Sequence, residues 1–199
     1  MNTTIYEPAD IKIYTRDRGL VLTEKSLIAL HTFEKGTPKI IAVGNEAAQI
    51  AEQNHDNKIE NIQILSPLRQ GKIADHTLAV RLFSFLLQKA WGKKPLRRRP
   101  VALCIPQGMT AVEKRALQDT LYMAGAKELL ISDLPYDRFV KEMPEPLPKQ
   151  LKKFSTIIEI TKNDPEPYIR EQLADLLCYA DQEGISHTRI AELLHSLSS

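Results

Sequence analysis

The sequence predicts an α/β fold with at least one pair of parallel strands, and three adjacent segments carry that prediction. Residues 101–105 form a short apolar run rich in branched side chains, which is typical of a buried strand. Thr110 and Glu113 have the spacing of a capping box, in which each side chain accepts a hydrogen bond from the other residue's exposed amide. Apolar residues then recur at helical spacing until Gly125, and residues 129–131 form the returning strand. A strand, a crossover helix and a second strand make a β-α-β unit.

The residues before this unit predict a hairpin, further strands and two helices. Two short apolar strands, 11–14 and 19–22, flank the polar turn 16–18. The remaining predicted elements are strands at 26–32, 39–43 and 59–65 and helices at 45–53 and 77–91. The helix 77–91 is amphipathic, with one apolar face and one polar face. Its predicted buried residues are Leu78, Leu82, Phe85, Leu86 and Ala90, and its predicted exposed residues are Arg81, Ser84 and Lys89.

A change of composition at Met143 divides the chain into three predicted parts. Residues 1–142 form the α/β domain. Residues 143–153 are rich in proline and charge, which favours an exposed, extended connection. Residues 154–199 hold one more strand and a C-terminal helical pair. These last elements are predicted at 154–160, 168–181 and 186–197.

The composition limits the classes of function. With 199 residues and a formal net charge of +2, the chain suits one domain and carries too little charge to imply a partner. No apolar run approaches the about 20 residues of a membrane span, and no export signal begins the chain, so we expect a cytoplasmic protein. Neither the histidines nor Cys104 and Cys178 have metal-ligand spacing, and no nucleophile motif occurs. We therefore predict no enzyme, no metal and no cofactor.

Several motifs occur in one order between Ile11 and Asp133. Gly19 to Ser26 matches GIVLxEPS, Ile41 to Ala47 matches AVGxEA, and Pro67 to Asp75 matches RPLxxGVIADF. The β-α-β unit matches CVPxGxTxxEKRAxxxxxxxAGAxxVxLI, with Cys104, Pro106, Gly108, Thr110, Glu113, Lys114, Arg115, Ala116, Ala124, Gly125 and Ala126 in register. On these residues the chain resembles the MreB-like family of bacterial actins, the rod shape-determining proteins.

The resemblance implies a ribonuclease-H-like, actin-like ATPase fold with a mixed sheet flanked by helices. Actin-family proteins clamp a nucleotide between two similar lobes. Residues 1–142 have room for the first lobe only, and the C-terminal helical pair is added to it.

The resemblance also implies where a nucleotide would be held. In the family, two hairpins, DxGTxN and DxGGGT, bring backbone amides to the phosphates, and their aspartates hold the water shell of the metal. In register, these hairpins fall on residues 5–10 and 159–164. In the first hairpin Ile5 replaces the aspartate, Glu7 replaces the glycine and Pro8 removes an amide donor. The second hairpin has no glycine, so we interpret the site as degenerate.

Glu113 is the one candidate catalytic residue, and we regard it as vestigial. The resemblance implies that a glutamate at this position helps to position the water that attacks the nucleotide. The third position of a capping box explains the same residue without any nucleotide, and this second interpretation is favoured.

A basic loop follows the helix 77–91. Its candidate partner-binding residues are Lys93, Lys94, Leu96, Arg97, Arg98 and Arg99. Three interpretations are open: a solvated turn, a nucleic-acid contact and a patch for anionic lipid. No aromatic residue is interleaved after Trp91, which disfavours single-stranded nucleic acid. In MreB-like proteins the equivalent loop often carries an apolar pair that enters the membrane, and here Leu96 alone keeps that character.

Residues 180–194 have the spacing of a helix-turn-helix motif. Glu183 stands where that motif expects an apolar residue, and two amphipathic helices packed on a sheet explain the same pattern. The packing interpretation is favoured, so nucleic acid is not the expected partner.

These observations predict a non-hydrolysing, truncated MreB-like interaction module of the bacterial cytoskeleton or cell-shape machinery. We expect a protein partner or self-association, with an anionic membrane surface as a further partner and a peripheral position at the inner membrane face. One alternative is an ATP-binding protein whose site is completed by oligomerisation. The other is nucleic-acid binding through the helix-turn-helix-like segment and the basic loop.

Overall fold

The structure is a computed structural model that describes residues 8–33, 37–53, 61–92, 98–142 and 152–161. All of these residues lie within the unit Met1–Asn163. The strands are β1 (Asp10–Thr15), β2 (Gly19–Lys25), β3 (Ile28–His31), β4 (Lys39–Val43), β5 (Ile62–Leu65), β6 (Leu68–Arg69), β7 (Lys72–Ile73), β8 (Arg99–Cys104), β9 (Ala126–Ser132) and β10 (Thr156–Thr161). The helices are α1 (Asn45–Gln53), α2 (His76–Trp91), α3 (Ala111–Ala124) and α4 (Tyr136–Lys141).

Five strands form a mixed sheet in the order β2-β1-β10-β8-β9. β8 is parallel to both β9 and β10, whereas β1 is antiparallel to β10 and to β2. The predicted β-α-β unit is confirmed as β8, α3 and β9, with Thr110 and Gly125 as the caps of the helix. The predicted α/β class and mixed sheet are therefore both confirmed.

β10 lies in the centre of this sheet. It pairs with β1 from Asp10 opposite Thr161 to Thr15 opposite Thr156, and with β8 on its other side. Its Ile158 is fully buried. The sequence division grouped this strand with residues 154–199, but the structure places it with the first lobe because both of its edges are paired there. The Pro-rich residues 143–151 and the predicted C-terminal helical pair lie outside the described residues.

The main core lies between the sheet and the helices α2 and α3. The buried residues of α2 recur at positions three and four apart, so they form one stripe. They are Ala79, Leu82, Phe83, Leu86, Leu87 and Ala90. The prediction that Phe85 is buried was wrong: its side chain lies off this stripe and is 36% exposed, and Phe83 takes the core position.

A second sheet, in the order β4-β3-β5, carries α1 on one face through Ala29, Ala42 and Ala47. The other face of the five-stranded sheet is covered by α4 and by Phe154, which pack with Ala102 and Ile157. The short helix α4 and the two-residue strands β6 and β7 were not predicted, because such short elements show no periodicity.

Candidate functional site

The carboxyl ends of β8, β9 and β10 meet at one edge of the five-stranded sheet, because the three strands are parallel. Ligands of open α/β sheets bind at such an edge. The turn from β8 into α3 leaves the sheet here, and Gly108 adopts a φ of 80° within it. β1 begins at the same edge, since Asp10 lies opposite Thr161. We call this edge the carboxyl end.

The two segments assigned to the phosphate hairpins come together at the carboxyl end. Their described parts lie side by side in β1 and β10, where Asp10 pairs with Thr161. Pro8 forms a bridge with Arg69 of β6. A backbone amide that pairs within a ladder is not available to a phosphate. Ile5, Glu7 and residues 162–164 lie outside the described residues.

The β6–β7 hairpin packs tightly beside these strands. Gly71 adopts a φ of 78°, and a Cβ atom built there would lie 2.8 Å from Cγ of Pro106 and 3.4 Å from Cγ2 of Ile160. Only glycine allows this backbone conformation together with so close an approach. The hairpin is thereby held against both β10 and the turn after β8.

Glu113 uses both of its carboxylate oxygens in protein contacts. Its Oε2 accepts a hydrogen bond from the amide of Thr110 at 2.8 Å, which completes the predicted capping box. Its Oε1 lies 2.8 Å from Nζ of Lys72 on β7. The hydrogen bond from Lys72, followed by that from the Thr110 amide, lowers the pKa of Glu113 to about 2. Glu113 is thus a helix cap and an ion-pair partner in this structure.

Two further lysine–carboxylate pairs stand at the carboxyl end. Lys25 lies 2.7 Å from Asp10, and Lys114 lies 2.7 Å from Asp133. Each of these lysines neutralises a carboxylate next to the strand ends. A lysine held in this way contributes little net positive charge to attract a phosphate.

Glu159 on β10 is buried and satisfied within the protein. Its Oε1 accepts a hydrogen bond from the amide of Tyr136 at 2.8 Å, and its Oε2 accepts one from the Tyr14 hydroxyl at 3.1 Å. Burial, and then the negative charge of Glu159, raise the pKa of Tyr14. The rings of Tyr14 and Tyr136 stack with centroids 3.5 Å apart. Glu159 therefore anchors the start of α4 to the sheet.

Comparisons with known proteins show which family this chain resembles. The model of the MreB/Mbl protein family matches residues 7–137. The chain belongs to the MreB/Mbl family. It is 31% identical to the cell shape-determining protein MreB of Escherichia coli K12 over 129 residues, which are 64% of this chain and 36% of that protein. It is 28% identical to the cell shape-determining protein Mbl of Bacillus subtilis over 127 residues, with the same two shares.

A solved structure supports the fold. MreB5 of Spiroplasma citri bound to AMPPNP is 25% identical, with a TM-score of 0.51 over 64% of this chain and 36% of that chain. The predicted actin-like first-lobe fold is therefore confirmed. The chain spans about a third of the length of the MreB and Mbl relatives that it matches.

Lys72 is the residue of this site that the sequence patterns did not single out. The MreB-like pattern RPLxxGVIADF has valine at this position, and the substitution by lysine was visible in the sequence. What the sequence did not reveal is its partner, because Glu113 lies on a different element, α3. The structure brings together the one candidate catalytic residue and a cation where the family pattern has an apolar side chain.

Two features are absent from the part of the chain that the structure describes. No group of three or more His, Cys, Asp and Glu side chains there is arranged to hold a metal ion. None of the helices there combines the length and apolar character needed to cross a membrane.

Only the last two residues of the predicted partner-binding loop are described, and they lie at the opposite edge of the sheet. Lys93, Lys94, Leu96 and Arg97 fall outside the described residues, whereas Arg98 and Arg99 are exposed at the start of β8. The guanidinium of Arg99 lies 5.7 Å from the centre of the Trp91 ring.

More charged residues meet at this opposite edge, which we call the amino end. β8, β9 and β10 start at the amino end, and the β1–β2 turn lies there as well. The last turn of α2 also reaches it, because the Arg18 side chain in the β1–β2 turn donates a hydrogen bond to the carbonyl oxygen of Ala90. Cations outnumber carboxylates in this group. The cations are Arg16, Arg18, Arg98, Arg99, Lys127, Lys152 and Lys153, and the carboxylates are Asp17 and Glu128.

Proposed function

We propose that this chain is a non-hydrolysing interaction module of the MreB/Mbl family that works with the cytoskeletal or cell-shape machinery. The pairing of Lys72 with Glu113, at 2.8 Å, carries the proposal. A carboxylate that helps to activate water needs a pKa near the working pH and an oxygen that faces the water. The pKa of Glu113 is instead lowered to about 2, and both of its oxygens are engaged.

The packing of the carboxyl end supports the same proposal. Phosphate hairpins work through glycine turns whose amides face the ligand. Here the corresponding described residues pair in β1 and β10, and Gly71 lies against Pro106 and Ile160. Lys25, Lys72 and Lys114, which the structure describes at this edge, are each paired with a carboxylate.

A solved structure of a relative shows how this chain differs from a nucleotide-binding member of the family. MreB5 of Spiroplasma citri binds AMPPNP, and this chain covers 36% of it. We propose that the present chain keeps the family's first lobe as a binding scaffold and has no use for the nucleotide.

An assay of phosphate release from Mg-ATP tests the proposal. We expect no turnover above background at any protein concentration. The variant Lys72→Val, which restores the apolar residue of the family pattern, should remain equally inactive because the phosphate hairpins stay degenerate. Turnover by the unmodified chain that rises with protein concentration would contradict the proposal and favour an ATP site completed by oligomerisation.

We further propose that the amino end contacts an anionic membrane surface from the cytoplasmic side. The excess of cations there supports this, because each lysine or arginine near anionic lipid contributes about 1 kcal/mol. Arg98 and Arg99 are exposed, so their side chains can reach a lipid headgroup.

Vesicle flotation tests the membrane contact. We expect binding to phosphatidylcholine vesicles that contain phosphatidylserine, and its loss at high salt, since screening limits the field to about 8 Å at physiological ionic strength. The double variant Arg98→Glu and Arg99→Glu should bind several-fold more weakly, whereas Arg115→Glu on α3 should not. Tighter binding to duplex DNA than to these vesicles would instead favour the nucleic-acid alternative, and binding to neither would leave a solvated surface.

A further inference from the structure

A groove of about 560 Å³ runs between the second sheet and the first turns of α2. Its walls come from β3 and β4 on one side and from the start of α2 on the other. The apolar lining residues are Leu30, Pro38, Ile40 and Leu78, and the charged ones are Lys39 and Arg81. None of its lining residues takes part in the contacts described at the carboxyl end or at the basic amino end.

β4, the strand beside the groove, has two adjacent isoleucine side chains that are exposed to solvent. Ile40 and Ile41 of β4 are 40% and 45% exposed. β4 is the outer strand of its sheet, with β3 as its hydrogen-bonded neighbour and no strand on its other side within the described ranges. An outer strand with adjacent exposed isoleucines is a template on which another extended chain can pair.

The described charged residues of the groove are of one sign. Lys39 and Arg81 are both exposed, and none of the described lining residues carries a carboxylate. Within the described part of the chain neither cation forms an ion pair, although Nζ of Lys39 lies 5.3 Å from the centre of the Phe33 ring. An occupant of this groove would therefore need apolar side chains for its floor and carboxylates for its walls.

We propose that this groove docks an extended segment of a partner protein in which apolar and acidic side chains alternate. The segment lies along β4, so that its backbone pairs with the free edge of the strand. Alternate side chains of an extended peptide point to opposite sides. One set therefore packs on Ile40 and Leu78, and the carboxylates point away from this floor, where the long exposed side chains of Lys39 and Arg81 reach them. Nucleic acid fits less well, because the described lining residues include no aromatic ring for base stacking. The inference goes beyond the proposed function and does not depend on the loss of the nucleotide site.

Fluorescence anisotropy with defined peptides tests the docking. The probe is a labelled peptide of about six residues, the length of a typical strand, in which glutamate alternates with leucine and valine. Matched peptides replace the glutamates by serine or by lysine. We expect the acidic peptide to bind the full chain more tightly than the serine peptide and the lysine peptide to bind most weakly.

Charge variants of the groove provide the sharper comparison. Arg81→Gln and Lys39→Gln should each weaken binding of the acidic peptide by about threefold to fivefold, the effect of losing an exposed ion pair. The double variant Arg81→Glu and Lys39→Glu should reverse the preference, so that the lysine peptide binds better than the acidic one. Arg115→Gln, an exposed arginine of α3 away from the groove, should leave both affinities unchanged. Melting temperatures of all variants establish that they are folded.

Amide hydrogen exchange locates the peptide. We expect added acidic peptide to slow exchange in residues 39–43 and to leave the carboxyl end unaffected. Equal affinity for the acidic and serine peptides, or protection elsewhere than β4, would overturn the proposal. Concentration-dependent self-association that Arg81→Glu abolishes would also overturn it, since the occupant would then be a second copy of the chain.

Discussion

The two ends of the five-stranded sheet differ in how their charges are used. At the carboxyl end three described lysines are paired with carboxylates: Lys25 with Asp10, Lys72 with Glu113 and Lys114 with Asp133. Gly71 also brings its hairpin into close contact with Pro106 there. At the amino end seven described cations stand with two carboxylates, and most of these side chains are exposed. Both carboxylates are in ion pairs, Asp17 with Arg18 and Glu128 with Lys153, so cations remain in excess.

This difference indicates which end of the lobe presents charge to a partner. In an open α/β sheet the ligand is expected at the carboxyl end. Here that end is neutralised and closely packed by the chain's own residues, while the amino end keeps an unbalanced charge. Each of the following variants tests the packing or the charge pairing described for one part of the lobe.

The largest expected effect concerns β10, the strand that supplies part of the carboxyl end. Ile158→Ala should lower the free energy of unfolding by about 4 kcal/mol, because the substitution leaves a cavity in the centre of the sheet. Urea unfolding measures the change. Ile41→Ala, at an exposed position of β4, should cost less than about 0.5 kcal/mol. Equal, small effects at both positions would mean that β10 is not the central strand.

A smaller effect distinguishes the packing of the two ends. Gly71→Ala should cost about 1–2 kcal/mol for its positive φ, and roughly 1–3 kcal/mol more for the contact with Pro106. Gly19, the first residue of β2, has a φ of 67° with nothing within 4 Å of an added Cβ, so Gly19→Ala should show the first cost alone. Thermal unfolding of both variants gives the difference. If Gly71→Ala costs no more than Gly19→Ala, the carboxyl end is not closely packed.

The N-terminal cap of α3 should contribute less to the free energy of unfolding than the packing of Gly71. Thr110→Ala removes the side chain that accepts a hydrogen bond from the Glu113 amide and should cost about 1 kcal/mol in urea unfolding. Val112→Ala serves as the control on the same helix, because Val112 is 79% exposed and should change little. A loss as large for Val112→Ala would argue against a specific role of the cap.

The smallest effect is a pH dependence at Glu113. Its pKa is lowered from 4.5 to about 2, so its contribution to stability is complete above pH 4.5 and is lost as the pH falls towards 2. The stability difference between the unmodified chain and Glu113→Gln should therefore shrink over that interval. Lys72→Gln should reduce the same pH dependence. A difference that stays constant from neutral pH to acid would show that the ionised carboxylate is not the stabilising form.

Local signals in the sequence were sufficient for the β-α-β unit. The capping box of Thr110 and Glu113, the helical spacing and Gly125 all act within a few residues, and the structure confirms each of them. The choice between Phe83 and Phe85 was harder, because both lie next to apolar neighbours and only the packed sheet decides which face of α2 is buried.

Contacts between distant residues were not accessible in the same way. β10 pairs with β1 although Tyr14 and Glu159 are 145 residues apart, and nothing local marks it as the central strand. Lys72 and Glu113 were likewise separate observations until the fold placed them 2.8 Å apart. The basic amino end is another product of topology, since its cations come from several strand starts.

Isothermal titration of Mg-ATP into the full chain tests most directly whether the carboxyl end has lost its ligand. Because the described lysines of this end are paired with carboxylates and Asp10 pairs with Thr161, we expect no heat beyond dilution, both for the unmodified chain and for Lys72→Val. A saturable signal from the unmodified chain with a dissociation constant in the micromolar range would contradict the loss of the nucleotide site.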